Sequence, residues 1–73
     1  MLLTNFGTRL KVLREKEGYS QERFAVKAGI DRTYYASAEN GKRNVSLLNL
    51  NKIAKGFGMS LAELLEGVID EHG

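Results

Sequence analysis

The chain has no cysteine and no proline, and its single histidine, His72, lies next to the C-terminus. Without cysteine there is neither a disulfide nor a thiolate metal site, which fits a reducing cytoplasm. One histidine cannot supply the ligands of a zinc site or a histidine-based catalytic set. The sequence also lacks a nucleophile–base pair and a phosphate-binding loop. We therefore expect a protein that is not an enzyme and that needs no cofactor or metal.

Long apolar runs are missing as well. No stretch approaches the roughly 20 apolar residues that span a bilayer, and the N-terminal MLLTNFG lacks the features of a signal peptide. We therefore expect a soluble cytoplasmic protein.

No segment alternates polar and apolar residues over a strand's length. The 73 residues thus predict one all-helical domain, residues 1–73 with a core of about 4–67, whose small core supplies little stability unless it is paired.

Acidic residues are scarce in the first part of the chain, and basic residues are absent from the last. Residues 1–58 hold all 11 Lys and Arg against five acids, a formal charge of +6, whereas residues 59–73 hold four acids and no base. One interpretation is a scatter of solvated charges. The other is a polarised molecule whose basic part suits a polyanion and whose C-terminal segment points away from it.

Two short helices are predicted between Ser20 and Arg43, in the stretch SQERFAVKAGIDRTYYASAENGKR. Ser20 and Asp31 are suited to cap them by accepting hydrogen bonds from backbone N–H groups. Gly29 lies where a chain leaving a helix adopts a positive φ, which glycine reaches without steric cost. Ala25 is small enough for the helices to cross closely. Together these features predict a helix-turn-helix.

The segments SQE, AGI and ENGKR, at their spacing in this stretch, resemble the DNA-binding helix-turn-helix of the Cro and lambda-repressor-like (XRE) family of bacterial and phage regulators. The resemblance covers roughly residues 6–65. It implies a compact all-α domain of five helices, with the helix-turn-helix at the second and third.

Apolar spacing and capping residues predict where these helices lie. The first is expected to start near Thr4 or Asn5 as its cap and to end at Glu17, and the others to cover about 21–28, 32–39, 47–56 and 61–70. On the third helix, spacing favours Tyr35 over Tyr34 as the core residue. The side chains expected in the core are Phe6, Leu10, Leu13, Phe24, Ala25, Ala28, Tyr35, Ala38, Leu47, Leu50, Ile53, Ala54 and Phe57.

The resemblance implies that the third helix reads base edges in the major groove with its N-terminal residues, Arg32, Thr33 and Tyr34, and with Ser37 one turn further. Arg32 can donate to guanine O6 and N7 at once. Thr33 offers a hydroxyl and a methyl group, and the long side chain of Tyr34 can bring its hydroxyl to a phosphate.

Five residues are expected at the DNA backbone. Gln21 lies at the N-terminus of the second helix, where its amide and the neighbouring N–H groups can hold a phosphate. Lys42, Arg43 and Asn44 lie in the loop after the recognition helix, and Ser46 is the expected cap of the fourth helix. Arg43 could instead reach a base or enter the minor groove, and a solvated loop without a role is the alternative.

The resemblance also implies an ion pair between Arg14 and Glu39, which ties the first helix to the end of the third as a structural clamp. Two solvated charges are the alternative interpretation.

An apolar stripe in the predicted fifth helix consists of Leu61, Leu64, Leu65, Val68 and Ile69. Its last turns extend past the small core, and an exposed apolar patch usually marks an interface. We expect a symmetric homodimer through this helix with help from the fourth, with two recognition helices about 34 Å apart on a palindromic operator. The alternative is a helix that folds back on its own domain.

The segment DRTYYASAENGKRNVSL resembles most the controller proteins of restriction-modification systems, which bind their own promoter region as dimers and both activate and repress. RNA polymerase is then a further partner. A phage-type repressor or an antitoxin with the same fold has almost the same sequence features. A helical protein–protein module without DNA binding is the competing hypothesis from another class.

Overall fold

The computed structural model describes residues 1–69, so the predicted helical residue Asp70 and the side chains of Glu71 and His72 lie outside the described residues. Within that range the chain forms five helices and no strand, which confirms the predicted all-α fold. None of these helices is long and apolar enough to cross a membrane. The helices are α1 (Leu2–Glu17), α2 (Gln21–Ala28), α3 (Arg32–Glu39), α4 (Leu47–Gly56) and α5 (Leu61–Leu64).

The turn between α2 and α3 has the local structure that the sequence predicts. The Ser20 side chain accepts a hydrogen bond from the Arg23 N–H at 3.1 Å, and Asp31 accepts one from the Tyr34 N–H at 3.0 Å. Gly29 has a φ of 73°, in the left-handed region. The predicted caps, the turn and the bounds of both helices are therefore confirmed.

Helix α1 begins at Leu2, earlier than the predicted cap at Thr4 or Asn5. The Met1 carbonyl accepts the N–H of Asn5 at 2.9 Å, and no side chain caps this end. Asn5 instead donates its side-chain amide to the carbonyl of Ile69, 2.7 Å away. Asn5 is of a residue type that often caps helices, but here it lies inside α1 and makes a long-range contact with the C-terminal segment.

Helix α5 ends at Leu64, so the prediction of a helix over 61–70 is wrong. Arg9 of α1 donates from Nε to the Leu64 carbonyl at 3.1 Å and from Nη2 to the Glu63 carbonyl at 2.7 Å. In a longer helix these carbonyls would accept the N–H groups of residues 68 and 67. Gly67 has a φ of 78° and turns the chain instead.

Phe24 lies at the centre of the core. Its ring stacks on Phe57 with centroids 4.0 Å apart and lies 5.1 Å from the ring of Tyr35. Tyr35 is fully buried, as its spacing predicts, whereas Leu47 is 71% exposed and its prediction as a core residue is wrong. Leu47 is the first residue of α4. The buried apolar residues are Phe6, Leu10, Leu13, Phe24, Ala25, Tyr35, Ala38, Ile53, Ala54, Phe57 and Leu64.

Helix α1 approaches the C-terminal end of α3 closely at Gly7, a residue to which the sequence analysis gave no role. Gly7 is buried, and a Cβ at this position would overlap the carbonyl oxygen of Glu39 and lie 2.9 Å from the carbonyl oxygen of Ala38. Such a contact is too short for a carbon and an oxygen that are not bonded. The absence of a side chain at Gly7 therefore sets the distance between α1 and α3.

Candidate nucleic-acid interface

The N-terminal ends of α2 and α3 face a common depression of about 550 Å³. Gln21 lines it from α2, and Arg32, Thr33 and Ala36 line it from α3. Arg32 and Thr33 are exposed, and Gln21 is half-buried. The fold thus brings the predicted base-contact residues Arg32 and Thr33 together with the predicted phosphate contact Gln21 on one surface.

Arg32 forms an ion pair across the turn with Glu22 of α2. The Nη1 of Arg32 lies 2.9 Å from Oε2 of Glu22, and both side chains are 65% exposed. No spacing or capping pattern in the sequence gives Glu22 a role. The ion pair joins residues on two helices that the turn at Gly29 brings together. The periodicity of either helix therefore does not predict this pair.

Tyr34 and Ser37 belong to a second cluster, which joins α3 to the loop before α4. The guanidinium carbon of Arg43 lies 4.5 Å from the centre of the Tyr34 ring, and Arg43 Nε donates to Ser37 Oγ at 3.1 Å. The Ser37 hydroxyl donates to the Tyr34 carbonyl at 2.7 Å, and the Tyr34 hydroxyl accepts the N–H of Ser46 at 3.3 Å. Both hydroxyls therefore have partners within the chain.

The hydroxyl of Tyr34 is also polarised by its surroundings. A hydrogen bond with the Asn49 side chain is the main cause that lowers the pKa of Tyr34. Partial burial opposes this shift, while contacts with Ser46 and the charge of Arg43 add to it. The Tyr34 hydroxyl is thus held by groups around the start of α4.

Glu39 lies at the end of α3 and joins three helices, α1, α2 and α3. Its carboxylate accepts from Arg14 Nε at 2.6 Å and Nη2 at 3.0 Å, and from Gln21 Nε2 at 3.0 Å. The side chains of Arg14 and Glu39 are 11% and 2% exposed. The structure therefore contains the ion pair that the resemblance implied, and in addition it ties the Gln21 amide to that pair.

Burial by itself would raise the pKa of Glu39, but the hydrogen bonds from Arg14 and Gln21 outweigh it and hold the pKa below its ordinary value. Burial, together with the Glu39 carboxylate, raises the pKa of the Tyr35 hydroxyl. Glu39 is therefore ionised and Tyr35 neutral at neutral pH. This cluster supports the interface from inside.

The loop after α3 presents exposed polar and basic groups. Lys42, Arg43 and Asn44 are all exposed. Ser46 caps α4 by accepting the N–H of Asn49 at 3.2 Å, as the sequence predicts. These residues extend the polar surface from α3 to the N-terminal end of α4, where the helix dipole favours an anion.

Exposed apolar side chains lie at the start of α4 and in the segment after α5. Leu47, Leu48 and Ile69 are 71%, 66% and 63% exposed, and Leu65 is 38% exposed. An apolar groove of about 230 Å³ lies between the start of α1 and Leu65.

The five residues of the predicted dimer stripe therefore differ in their surroundings. Leu64 is fully buried in the core of its own chain, so it has no surface for a partner. Leu61 and Val68 are partly buried against that core. Leu65 and Ile69 keep exposed apolar surface. The segment after α5 thus folds back in part on its own domain.

Comparison with known proteins agrees with this geometry. A helix-turn-helix family model matches residues 10–64. The chain is 57% identical over 67 residues to the control protein C.MunI of Mycoplasma sp., covering 90% of each sequence.

Solved structures give the same result. The restriction-modification controller protein C.AhdI from Aeromonas hydrophila is 45% identical, with a TM-score of 0.82 over 85% of this chain and 94% of that one. The controller protein C.Esp1396I, solved as a tetramer in complex with its natural 35 base-pair operator, is 32% identical, with a TM-score of 0.83 over 93% of this chain and 90% of that one.

Proposed function

This chain belongs to the helix-turn-helix family and to the restriction-modification controller proteins within it, and on that premise we propose that it is a sequence-specific transcriptional regulator that binds a palindromic DNA operator as a dimer. The proposal assigns no reaction to the chain. It places the protein in the cytoplasm with the DNA that it regulates, and it makes RNA polymerase a further partner wherever the bound protein activates transcription.

The exposed N-terminal end of α3 is the observation that supports this function most. Arg32 and Thr33 are exposed at the first two positions of that helix, beside Gln21 at the start of α2. In helix-turn-helix proteins the start of the recognition helix meets base edges while the preceding helix contacts the backbone. We assign contacts with base edges to Arg32 and Thr33. We assign contacts with the DNA backbone to Gln21 and to the basic side chains in the loop after α3.

Tyr34 and Ser37 have a more restricted part in this proposal. Their hydroxyls bond to Ser46 and to the Tyr34 carbonyl, and Arg43 lies over the Tyr34 ring. Either hydroxyl can bond to a base only if it gives up its present hydrogen-bond partner within the chain. We therefore assign the main base discrimination to Arg32 and Thr33, with Tyr34 and Ser37 as additional contacts.

A dimer is supported by the exposed apolar residues at the start of α4 and after α5. Leu47, Leu48, Leu65 and Ile69 are exposed apolar side chains, and exposed apolar surface on a small domain often marks an interface. We propose that a second copy covers them, which sets the two recognition helices about 34 Å apart on successive major-groove turns.

Selection of binding sites from random duplexes, followed by footprinting, tests the function. We expect a palindromic site bound with a Kd of about 10⁻⁸ M or below, and affinity for random duplexes at least ~1,000-fold weaker. The affinity should fall steeply with salt, because each neutralised phosphate releases counterions. Enrichment of no sequence, or binding without salt dependence, would instead favour a protein–protein module.

The genes beside the coding sequence separate the regulator classes. A restriction endonuclease gene supports the controller, whereas a small toxin gene supports an antitoxin and a phage gene cluster supports a phage-type repressor.

A further inference from the structure

Glu22 is an acidic residue on a surface that otherwise suits a polyanion. It is the sole acid among the described residues that line the depression between α2 and α3. Its carboxylate lies 2.9 Å from Arg32, the residue to which we assign base contacts. A negative charge at this position repels phosphates, so its presence on a DNA-binding surface needs a physical account.

Stability does not supply that account. The Glu22 and Arg32 side chains are both 65% exposed. Exposed ion pairs of this kind contribute little to folding, because water screens the attraction and both side chains lose rotamer freedom. The consequence of the pair must therefore be sought in what Arg32 binds.

The geometry of the pair leaves Arg32 able to read a base. A guanidinium carries five N–H donors in a rigid plane. The contact to Glu22 uses Nη1. Within residues 1–69 no other group bonds to the edge formed by Nε and Nη2, and two donors on one edge match O6 and N7 of guanine. Glu22 can therefore hold the plane of the guanidinium while Arg32 contacts the base.

Non-specific DNA presents a different situation. On such DNA only phosphates are available to Arg32. These phosphates compete with the Glu22 carboxylate for the guanidinium, and the carboxylate repels them. An arginine without this partner would bind phosphates freely and add to sequence-independent affinity. Glu22 thus opposes non-specific binding more than it opposes the guanine contact.

From this geometry we propose that Glu22 is a specificity-determining residue that positions Arg32 for guanine and lowers its affinity for phosphates. The inference rests on the proposed function and adds to it a residue that contacts no base. Glu22 acts through Arg32, so it is a positioning residue.

The variant Glu22→Gln tests this, because glutamine keeps the size of the side chain and removes its charge. The operator is first selected with the wild-type protein, and the Kd is measured for that operator, for a duplex with the Arg32-dependent guanine replaced, and for a random duplex. We expect Glu22→Gln to bind random DNA about 3- to 10-fold more tightly and to discriminate the guanine about 5-fold less well than wild type.

Glu17→Gln is the matched control. Glu17 is exposed at the end of α1, so the substitution makes the same change of net charge away from Arg32. We expect its discrimination to stay within about 2-fold of wild type. An equal loss of discrimination in both variants would show an effect of net charge and would overturn the proposal.

Coupling to Arg32 is the second readout. In an Arg32→Ala background, Glu22→Gln should leave discrimination at that base pair unchanged, because there is no guanidinium to position. If Glu22→Gln still alters base preference in that background, Glu22 reads a base directly and the inference is wrong. Unchanged discrimination in the single variant overturns the inference and leaves the proposed function intact, whereas a wild-type protein that selects no operator overturns both.

Discussion

Glu39 shows how much a single side chain determines in this molecule. Its carboxylate is 2% exposed and accepts hydrogen bonds from Arg14 of α1 and Gln21 of α2. A buried charge is costly unless it is paired and hydrogen-bonded. The cluster therefore fixes α3 relative to both other helices, and it also orients the Gln21 amide.

We predict that Glu39→Gln destabilises the fold by about 3 kcal/mol at pH 7, since it leaves the buried guanidinium of Arg14 without its counter-charge. The folded-state pKa of Glu39 is below its ordinary value of 4.5. The unfolded chain then binds the proton first on acidification, so the stability from this group is present above about pH 4.5 and is lost as the pH falls through the folded-state pKa. Urea unfolding followed by circular dichroism between pH 7 and pH 3 measures both effects.

The difference in stability between wild type and Glu39→Gln should accordingly narrow at acidic pH. Glu17→Gln, with the same chemical change at an exposed position, should stay within about 0.5 kcal/mol of wild type at pH 7. A difference for Glu39→Gln that is constant over this pH range would contradict the assignment of an ionised Glu39.

The identity of the exposed recognition residues could be predicted from the sequence, but their partners could not. The position of Arg32 after the cap Asp31 follows from local chemistry, and the structure places its side chain in solvent. Its contact with Glu22 depends on how α2 and α3 cross. The contact of Gln21 with Glu39 likewise joins residues far apart in the chain, and no spacing rule gives it.

The helices show the same division between local and long-range causes. The bounds of α2, α3 and α4 are those predicted. Each of these helices directly follows a residue whose side chain caps it, namely Ser20, Asp31 and Ser46. The start of α1 and the end of α5 are not those predicted. Asn5 and Arg9 of α1 bind carbonyls of the C-terminal segment, and these long-range hydrogen bonds override the local pattern.

We predict that Gly7→Ala destabilises the fold by about 2 kcal/mol, although alanine favours helix formation by about 1 kcal/mol over glycine. The new Cβ would overlap the Glu39 carbonyl oxygen, lie 2.9 Å from the Ala38 carbonyl oxygen, and force α1 away from α3. Thermal unfolding measures the change. Thr8→Ala, at the neighbouring exposed position, is the control and should leave the melting temperature nearly unchanged. A Gly7→Ala variant as stable as wild type would show that α1 and α3 do not meet as closely as described.

At the scale of the molecule, polar and apolar surfaces divide the domain by function. The residues to which we assign DNA contacts lie on α2, α3 and the following loop, whereas the exposed apolar residues lie at the start of α4 and after α5. The sequence predicted an apolar interface in the C-terminal segment. It could not separate Leu64, which the core covers, from Leu65 and Ile69, because that distinction depends on where α5 ends.

We predict that Leu47→Asp combined with Leu48→Asp converts the dimer to a monomer at micromolar concentration. Both side chains are exposed, so the fold should persist, and acidic residues in the first turn of α4 are compatible with the helix dipole. Sedimentation velocity over a concentration series measures the change. Val12→Asp introduces a charge at another exposed apolar position and should stay dimeric. A double variant that remains a dimer would place the interface elsewhere.

Base reading by Arg32 is the central part of the proposed function, and affinity measured on the selected operator and on its single-base variants tests it directly. Arg32→Ala should lose about 1–3 kcal/mol of discrimination at one base pair in each half-site, because a bidentate contact to guanine is removed. Lys42 is an exposed basic residue in the loop after α3. Lys42→Ala should instead weaken binding to all duplexes alike and reduce the salt dependence of the affinity by the equivalent of about one phosphate contact. An Arg32→Ala variant that keeps the wild-type preference at every base pair would contradict the account.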